Sequence, residues 1–200
     1  MNRPQLCFET ICVEQRRFSK LLPYHEARLN RTRQALWGIR EPLALQDYLE
    51  IPDFVNNDKH KCRITYGEEI VNVEWEKYQP RTIGSLRLVE ADHLDYAFKY
   101  KDRRALDFLY AQRGSCDDVL IVRNGLVTDS SYANVALFDG TNWYTPEQPL
   151  LAGTQRAYLL DEGVVVPKAI RASEVGDFRH IRLFNAMLPW EEAPTATVVS

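Results

Sequence analysis

Asp129, Ser130, Ser131 and Asn134 fall within one short stretch, RNGLVTDSSYAN, and a second small-polar turn, LLAGTQR, follows around Gly153. An acid, two hydroxyls and an amide between strand-like runs supply both a proton-holding group and hydrogen-bond donors. The segment AGTQRAYLL reads as a helix start, where backbone N–H groups without helical partners and the helix dipole both favour an anion. A buried phosphate dianion would take several donors of this kind together with an arginine. Arg28, beside the apolar positions of an amino-terminal helix, can supply that charge. Each feature also has a plainer reading: a Gly-Thr start is a helix cap, a Ser-Ser pair shapes a turn, and an arginine on a helix faces water. Their combination carries more than any one of them.

These residues need elements to hold them. LCFETICVEQRRFSKL reads as an opening hairpin, a strand from Leu6 to Val13 and another from Phe18 to Leu22. PYHEARLNRTRQALWG places His25, Arg28, Leu29, Thr32, Ala35 and Leu36 at three- and four-residue spacing and stops at Gly38, which predicts a helix. His25 on that helix packs or caps, with general-base chemistry as the alternative. PLALQDYLEIP predicts a second, shorter helix, KHKCRITYGEEIVNVEWEKYQP a hairpin turning near Gly67, TIGSLRLVEA a strand and DRRALDFLYAQRG a helix. From Asp118 the pattern turns to short strands, DVLIVRNG, LVTD, NVALFDG and NWYTP, whose Asn-Gly and Asp-Gly pairs are hairpin signals. TQRAYLLDEG and RASEVGDF predict helices, and HIRLFNAM and TATVVS strands. The break between halves falls near Ala91 to Tyr100.

Composition bounds the rest. Two hundred residues at 45% hydrophobic and 26% charged describe a globular chain. A formal net charge of -3 gives no bulk attraction to nucleic acid or to an anionic membrane. No apolar run is long enough for a membrane span and the opening residues lack a signal-peptide pattern, so a cytoplasmic protein is expected. Cys7, Cys12, Cys62 and Cys116 have no metal-ligand spacing to the four histidines and read as reduced thiols, with no metal site.

Taken in order, HEARLNRT, FKYKDRRALDFL, NGLVTDSSYAN, TPEQPLLAGTQR and LFNAM resemble the class IV pyridoxal-phosphate enzymes, a group containing branched-chain and D-amino-acid aminotransferases and aminodeoxychorismate lyase. The resemblance runs from FET to FNAM and is strongest from Arg123 to Arg156. It implies an α+β, two-part fold of type IV: an amino-terminal α/β sandwich over residues 1–95 with a phosphate-contacting arginine, and a carboxyl-terminal, strand-rich pseudo-barrel over 96–200 that binds the cofactor, pyridoxal 5′-phosphate.

The same resemblance distributes roles. A lysine of the family forms an aldimine with the cofactor and then shuttles a proton; Lys99, at the end of the strand-like DYAFK, matches it best, with Lys101 in the loop after it the alternative. Asp129, five positions before Asn134, stands where the family has the acid that pairs with the pyridine nitrogen. It is one methylene shorter than the family's Glu. Gly153, Thr154 and Gln155 match the turn that offers donors to the phosphate, although Gln155 replaces the usual Thr and Asp102 the usual Asn. Arg28, in the His25-x-x-Arg28-Leu29 match, adds charge. Ser130 and Ser131 either reach the phosphate or shape the turn.

The activity so implied is an aminotransferase acting on an amino acid. An aminodeoxychorismate lyase giving 4-aminobenzoate and pyruvate is the alternative, and a non-catalytic pyridoxal-phosphate or phosphate binder a third. An α+β interaction domain without ligand would leave the ordered segments as coincidence. Arg81, Arg87 and Arg103 are candidates for the substrate carboxylate, with no motif singling one out. The implied partners are a small-molecule amino-acid or amino-chorismate substrate and a second copy of the chain in a homodimer.

Overall fold

LCFETICVE builds β1 (Cys7–Glu14), whose β-branched and small apolar residues suit a strand covered on both faces. The structure, a computed structural model, describes residues 5–199. After β1 the chain reverses through Gln15 and Arg16, both at positive φ, into the two-residue β2 (Arg17–Phe18). The predicted second strand to Leu22 is cut short because Leu22 already opens α1 (Leu22–Trp37). Pro23 in the first turn has its φ pre-set for a helix. β3 (His60–Tyr66) and β4 (Ile70–Lys77) complete an antiparallel sheet in the order β2-β1-β3-β4. Ile11, Leu29, Leu45, Ile64 and Tyr66 are fully buried in the core beneath it.

Two further predictions in this half need correction. PLALQDYLEIP forms only a single 3-10 turn, Leu45–Tyr48. Its buried anchors, Leu43 and Leu45, are two residues apart, a spacing that an extended segment buries on one face and a helix does not. DYAFK is no strand either. Its end instead lies along the edge of β1 that β2 leaves uncovered, with the Phe8 N–H donating to the Lys99 carbonyl (3.0 Å) and the Lys101 N–H to the Leu6 carbonyl (2.7 Å).

The second half holds β5 (Ser85–Glu90), α2 (Arg104–Ala111), β6 (Asp118–Arg123), β7 (Leu126–Ser130), β8 (Asn134–Phe138), β9 (Trp143–Pro146), α3 (Thr154–Asp161), β10 (Val166–Lys168), β11 (His180–Phe184) and β12 (Thr195–Val198). RASEVGDF forms a 3-10 segment, Ala172–Asp177, in place of the predicted helix. Asn124 and Gly125, at φ 52° and 74°, make the tight turn between β6 and β7 that an Asn-Gly pair signals. The strands run in the order β10-β9-β8-β11-β12-β5-β6-β7, and β7 also pairs with β8. β8, β11, β12, β5, β6 and β7 therefore close into a ring around Leu86, Leu120, Val135, Leu137, Leu183 and Ala196. Alternate residues face outward, so Ala136 and Phe184 pack with Leu159 of α3. The α+β class and the strand-rich second half match the sequence reading.

The chain divides into two compact units, one running to Gln79 and including Phe98–Asp102, the other formed by Pro80–Ala97 and the residues from Arg103 onward. A single cut between residues 95 and 96 does not describe this division. Phe98–Asp102 returns to the first unit because its backbone bonds β1. Among the described residues no helix is long and apolar enough to cross a membrane, and no group of three or more His, Cys, Asp or Glu is placed to hold a metal ion. The four cysteines are buried and none forms a disulfide among the described residues.

Candidate functional site

In the first unit the buried face of α1 is polar: His25, Arg28, Thr32 and Arg33 all lie inside, beside Leu29. A helix face of this composition is stable only if its polar groups are paired. Glu9 of β1, with no exposed surface, supplies the pairing. Its Oε1 accepts from Arg28 Nε at 2.9 Å, and its Oε2 from Arg28 Nη2 at 2.5 Å and His25 Nδ1 at 2.6 Å. Burial pushes the Glu9 carboxyl up, but the Arg28 charge and the hydrogen bonds from His25 and Arg28 outweigh it and hold it at about 2. Burial drives His25 below its ordinary range against the pull of Glu9, and the Arg28 and Lys99 charges add to that. His25 is therefore a neutral imidazole donating Nδ1–H to a carboxylate. It fits the packing reading better than the general-base one.

Lys99 belongs to this unit. It is half-buried, whereas Lys101 is exposed. Its Nζ lies 4.8 Å from the centroid of the Phe8 ring, and its charge is felt at His25. Lys99 and Arg28 thus share one neighbourhood.

In the second unit Asp129 and Asn134 are the register pair joining β7 to β8. Asp129 is 5% exposed. Its Oδ1 accepts from Asn134 Nδ2 at 2.7 Å and its Oδ2 from the Leu151 N–H at 2.9 Å, while Asn134 Nδ2 also donates to the Leu151 carbonyl at 2.9 Å. Burial raises the carboxyl to about 6 against the lowering effect of these donors and of the Arg156 charge.

Asn134 also meets the start of α3. A Cβ on Gly153 would fall onto Asn134 Oδ1, so only glycine allows this approach. Gly153 is the N-cap of α3 and gives it no side-chain cap. The next three residues, Thr154, Gln155 and Arg156, are buried although polar. Arg156 Nη2 donates to the Pro146 carbonyl at 2.8 Å, and its buried Nε has no hydrogen-bond partner among the described residues. A buried, polar, uncapped helix start next to an unsatisfied arginine N–H suits a phosphate.

The two hydroxyls are used locally. Ser130 Oγ accepts from the Ala133 N–H at 3.1 Å and donates to the Ala133 carbonyl at 3.2 Å, closing the turn between β7 and β8. Ser131 lies beside buried Asp118, and its carbonyl accepts from Arg103 Nη2 at 2.8 Å. Arg81 Nη2 donates to Tyr110 Oη at 2.8 Å, and Arg87 is exposed on β5. Sequence reasoning missed Glu9 and Arg156. The signal for Glu9 was a single carboxylate inside an apolar strand; for Arg156 it was the last residue of the Gly-Thr-Gln-Arg turn.

Residues 72–192 match the family described as amino-transferase class IV. An uncharacterized protein of Haemophilus influenzae is 35% identical over 182 residues, covering 90% of this chain and 96% of the relative. Among solved structures, a candidate 4-amino-4-deoxychorismate lyase from Haemophilus somnus superposes with a TM-score of 0.85 at 32% identity, covering 92% of this chain and 97% of that one. A candidate amino-acid aminotransferase from Mesorhizobium loti has a TM-score of 0.81 at 20% identity, covering 98% of this chain and 100% of that one, a likeness of fold alone.

Proposed function

Because this chain belongs to the class IV aminotransferase family, whose members are pyridoxal-phosphate-dependent enzymes, we propose that it binds pyridoxal 5′-phosphate and acts as an aminotransferase on an amino acid. The observation that carries the reading is the joining of Asp129, through Asn134, to the uncapped start of α3 at Gly153. The buried acid and the helix start are thereby held together, the first suited to the pyridine nitrogen and the second to the phosphate of this cofactor.

When bound, pyridoxal phosphate supplies an electron-accepting ring for the substrate's α-carbon. The chain's residues would do the rest. Lys99 would be the attachment lysine and would then move a proton at the α-carbon. Asp129 would keep the pyridine nitrogen protonated. Gly153, Thr154 and Gln155 would donate to the phosphate, with Arg28 adding a charge whose guanidinium plane Glu9 fixes. Ser130, Ser131 and Asn134 would serve by holding the loop and the acid in place. A homodimer in the cytoplasm is part of this proposal.

A second reading, an aminodeoxychorismate-type lyase, is favoured by the near full-length match to the Haemophilus somnus protein. Both reactions use the same lysine and acid. The test is the absorbance of purified protein with added pyridoxal phosphate, before and after borohydride, in wild type, Lys99→Ala and Lys101→Ala. Cofactor fixed by borohydride in wild type and Lys101→Ala, but not in Lys99→Ala, is the expected result. No cofactor band in any sample would overturn the reading. Amino-donor screening against pyruvate release from aminodeoxychorismate then separates transaminase from lyase.

A further inference from the structure

Register places Phe8 of β1 opposite Thr65 of β3, and Thr10 opposite Arg63. Directly paired residues share a face of the sheet, and so do residues two apart along a strand. Phe8, Thr10, Arg63 and Thr65 therefore lie on one face, opposite the face that carries Glu9. Two cations rest against the Phe8 ring, Lys99 Nζ at 4.8 Å and Arg63 Cζ at 5.2 Å from its centroid. Thr65 is wholly buried, and neither its Oγ1 nor the buried Nε of Arg63 has a hydrogen-bond partner among the described residues.

Buried donors are normally satisfied, and two unsatisfied ones on one sheet face, one of them from the arginine that rests on the same ring as the attachment lysine, call for an acceptor. Two acids lie nearby on β4: Glu76 pairs with Lys61 at 2.8 Å, is two-thirds exposed and feels the Arg63 charge, and Glu74, the register partner of Arg63, is exposed; neither bonds the buried Arg63 Nε. Two like charges on one aromatic ring are stabilised by an anion between them. An arginine fork beside a hydroxyl suits a planar carboxylate. We propose that Arg63 and Thr65 form the subsite for a carboxylate of the amino-bearing substrate, placing its amino carbon toward Lys99. The inference rests on the function proposed above and adds the group that recognises the substrate's charge.

The same donors would also suit the cofactor's phosphate, so the test separates the two. Holoprotein is titrated with benzoate, an unreactive carboxylate, and with benzamide, its neutral counterpart, by ligand-observed NMR; cofactor affinity is measured in parallel. Variants are Arg63→Met, Arg63→Lys and Thr65→Val, each checked for an unchanged thermal midpoint. Expected is a preference for benzoate, weakened about tenfold in Arg63→Met and less in Thr65→Val and Arg63→Lys, with benzamide binding and cofactor affinity unchanged. Unaltered benzoate binding in every folded variant would overturn the subsite and leave the cofactor reading intact. A comparable loss of cofactor affinity in Arg63→Met would assign these donors to the phosphate and equally overturn it. If wild type takes up no cofactor, the functional reading fails, and the benzoate arm on the cofactor-free protein still decides the subsite: binding lost in Arg63→Met sustains it, and no binding ends it.

Discussion

Asn134 faces Asp129 across the pair that closes the ring between β7 and β8, and its amide holds both the Asp129 carboxylate (2.7 Å) and the Leu151 carbonyl (2.9 Å). One side chain thus fixes the acid and ties it to the loop that leads into α3. Replacing it with Leu keeps the bulk and removes both donors. The expected cost is about 1–3 kcal/mol per group left unpaired. It should be larger at pH 8, where Asp129 is charged, than at pH 5, where it holds its proton. Urea unfolding at the two pH values reads the difference, and an equal loss at both would show that Asn134 does not stabilise the charged acid.

Gly153→Ala drives a methyl group onto Asn134 Oδ1. Overpacking of this kind costs about 1–3 kcal/mol, and the displaced helix start should take up pyridoxal phosphate more weakly. Asn134→Ala in the same chain removes the clash, so the double variant should be more stable than the sum of the two single losses. Strict additivity in chemical denaturation would contradict the contact.

Asp129 titrates at about 6 in the folded chain, above its ordinary 3.8. A raised carboxyl favours folding fully below pH 3.8 and loses that contribution as the pH rises through 6. Asp129→Asn should flatten the stability profile over this window. In the proposed function the carboxylate is the form that meets a protonated pyridine nitrogen, so cofactor affinity should fall as the pH drops below about 6. A wild-type affinity constant from pH 7.5 to 5 would remove Asp129 from that role.

Glu9 and His25 shift in the opposite sense to Asp129. Glu9, held at about 2, contributes stability that is present above its ordinary 4.5 and lost as the pH falls toward 2. His25, kept neutral by burial, contributes stability that begins to fail as the pH drops through its ordinary 6.5, because only the unfolded chain takes up that proton readily. Glu9→Gln strips the lower limb and leaves Arg28 buried without its carboxylate, at a cost of about 3–5 kcal/mol at neutral pH. Thermal unfolding from pH 8 to 3 reads both limbs, and a Glu9→Gln protein as stable as wild type at pH 7 would refute the buried pairing.

Much of the molecule was legible along the chain. The Asn-Gly turn between β6 and β7, the Pro and Gly that bound α1, and the alternating strands after Asp118 are local matters of φ preference and side-chain period, which a few consecutive residues determine. Asp129 and Asn134 could be named because a tight turn separates them. PLALQDYLEIP and DYAFK misled because their propensity is weak and neighbouring segments decide their shape. The Glu9 pairing with His25 and Arg28, and the meeting of Lys99 and Arg63 on the Phe8 ring, follow from none of these signals. They depend on which strand lies beside β1 and in what register, and on which face of α1 turns inward. Those choices are made by burying apolar surface contributed by distant parts of the chain, so the sequence determined the parts of the candidate site, and the tertiary structure decided which charges would be paired and which buried donors would have no partner among the described residues.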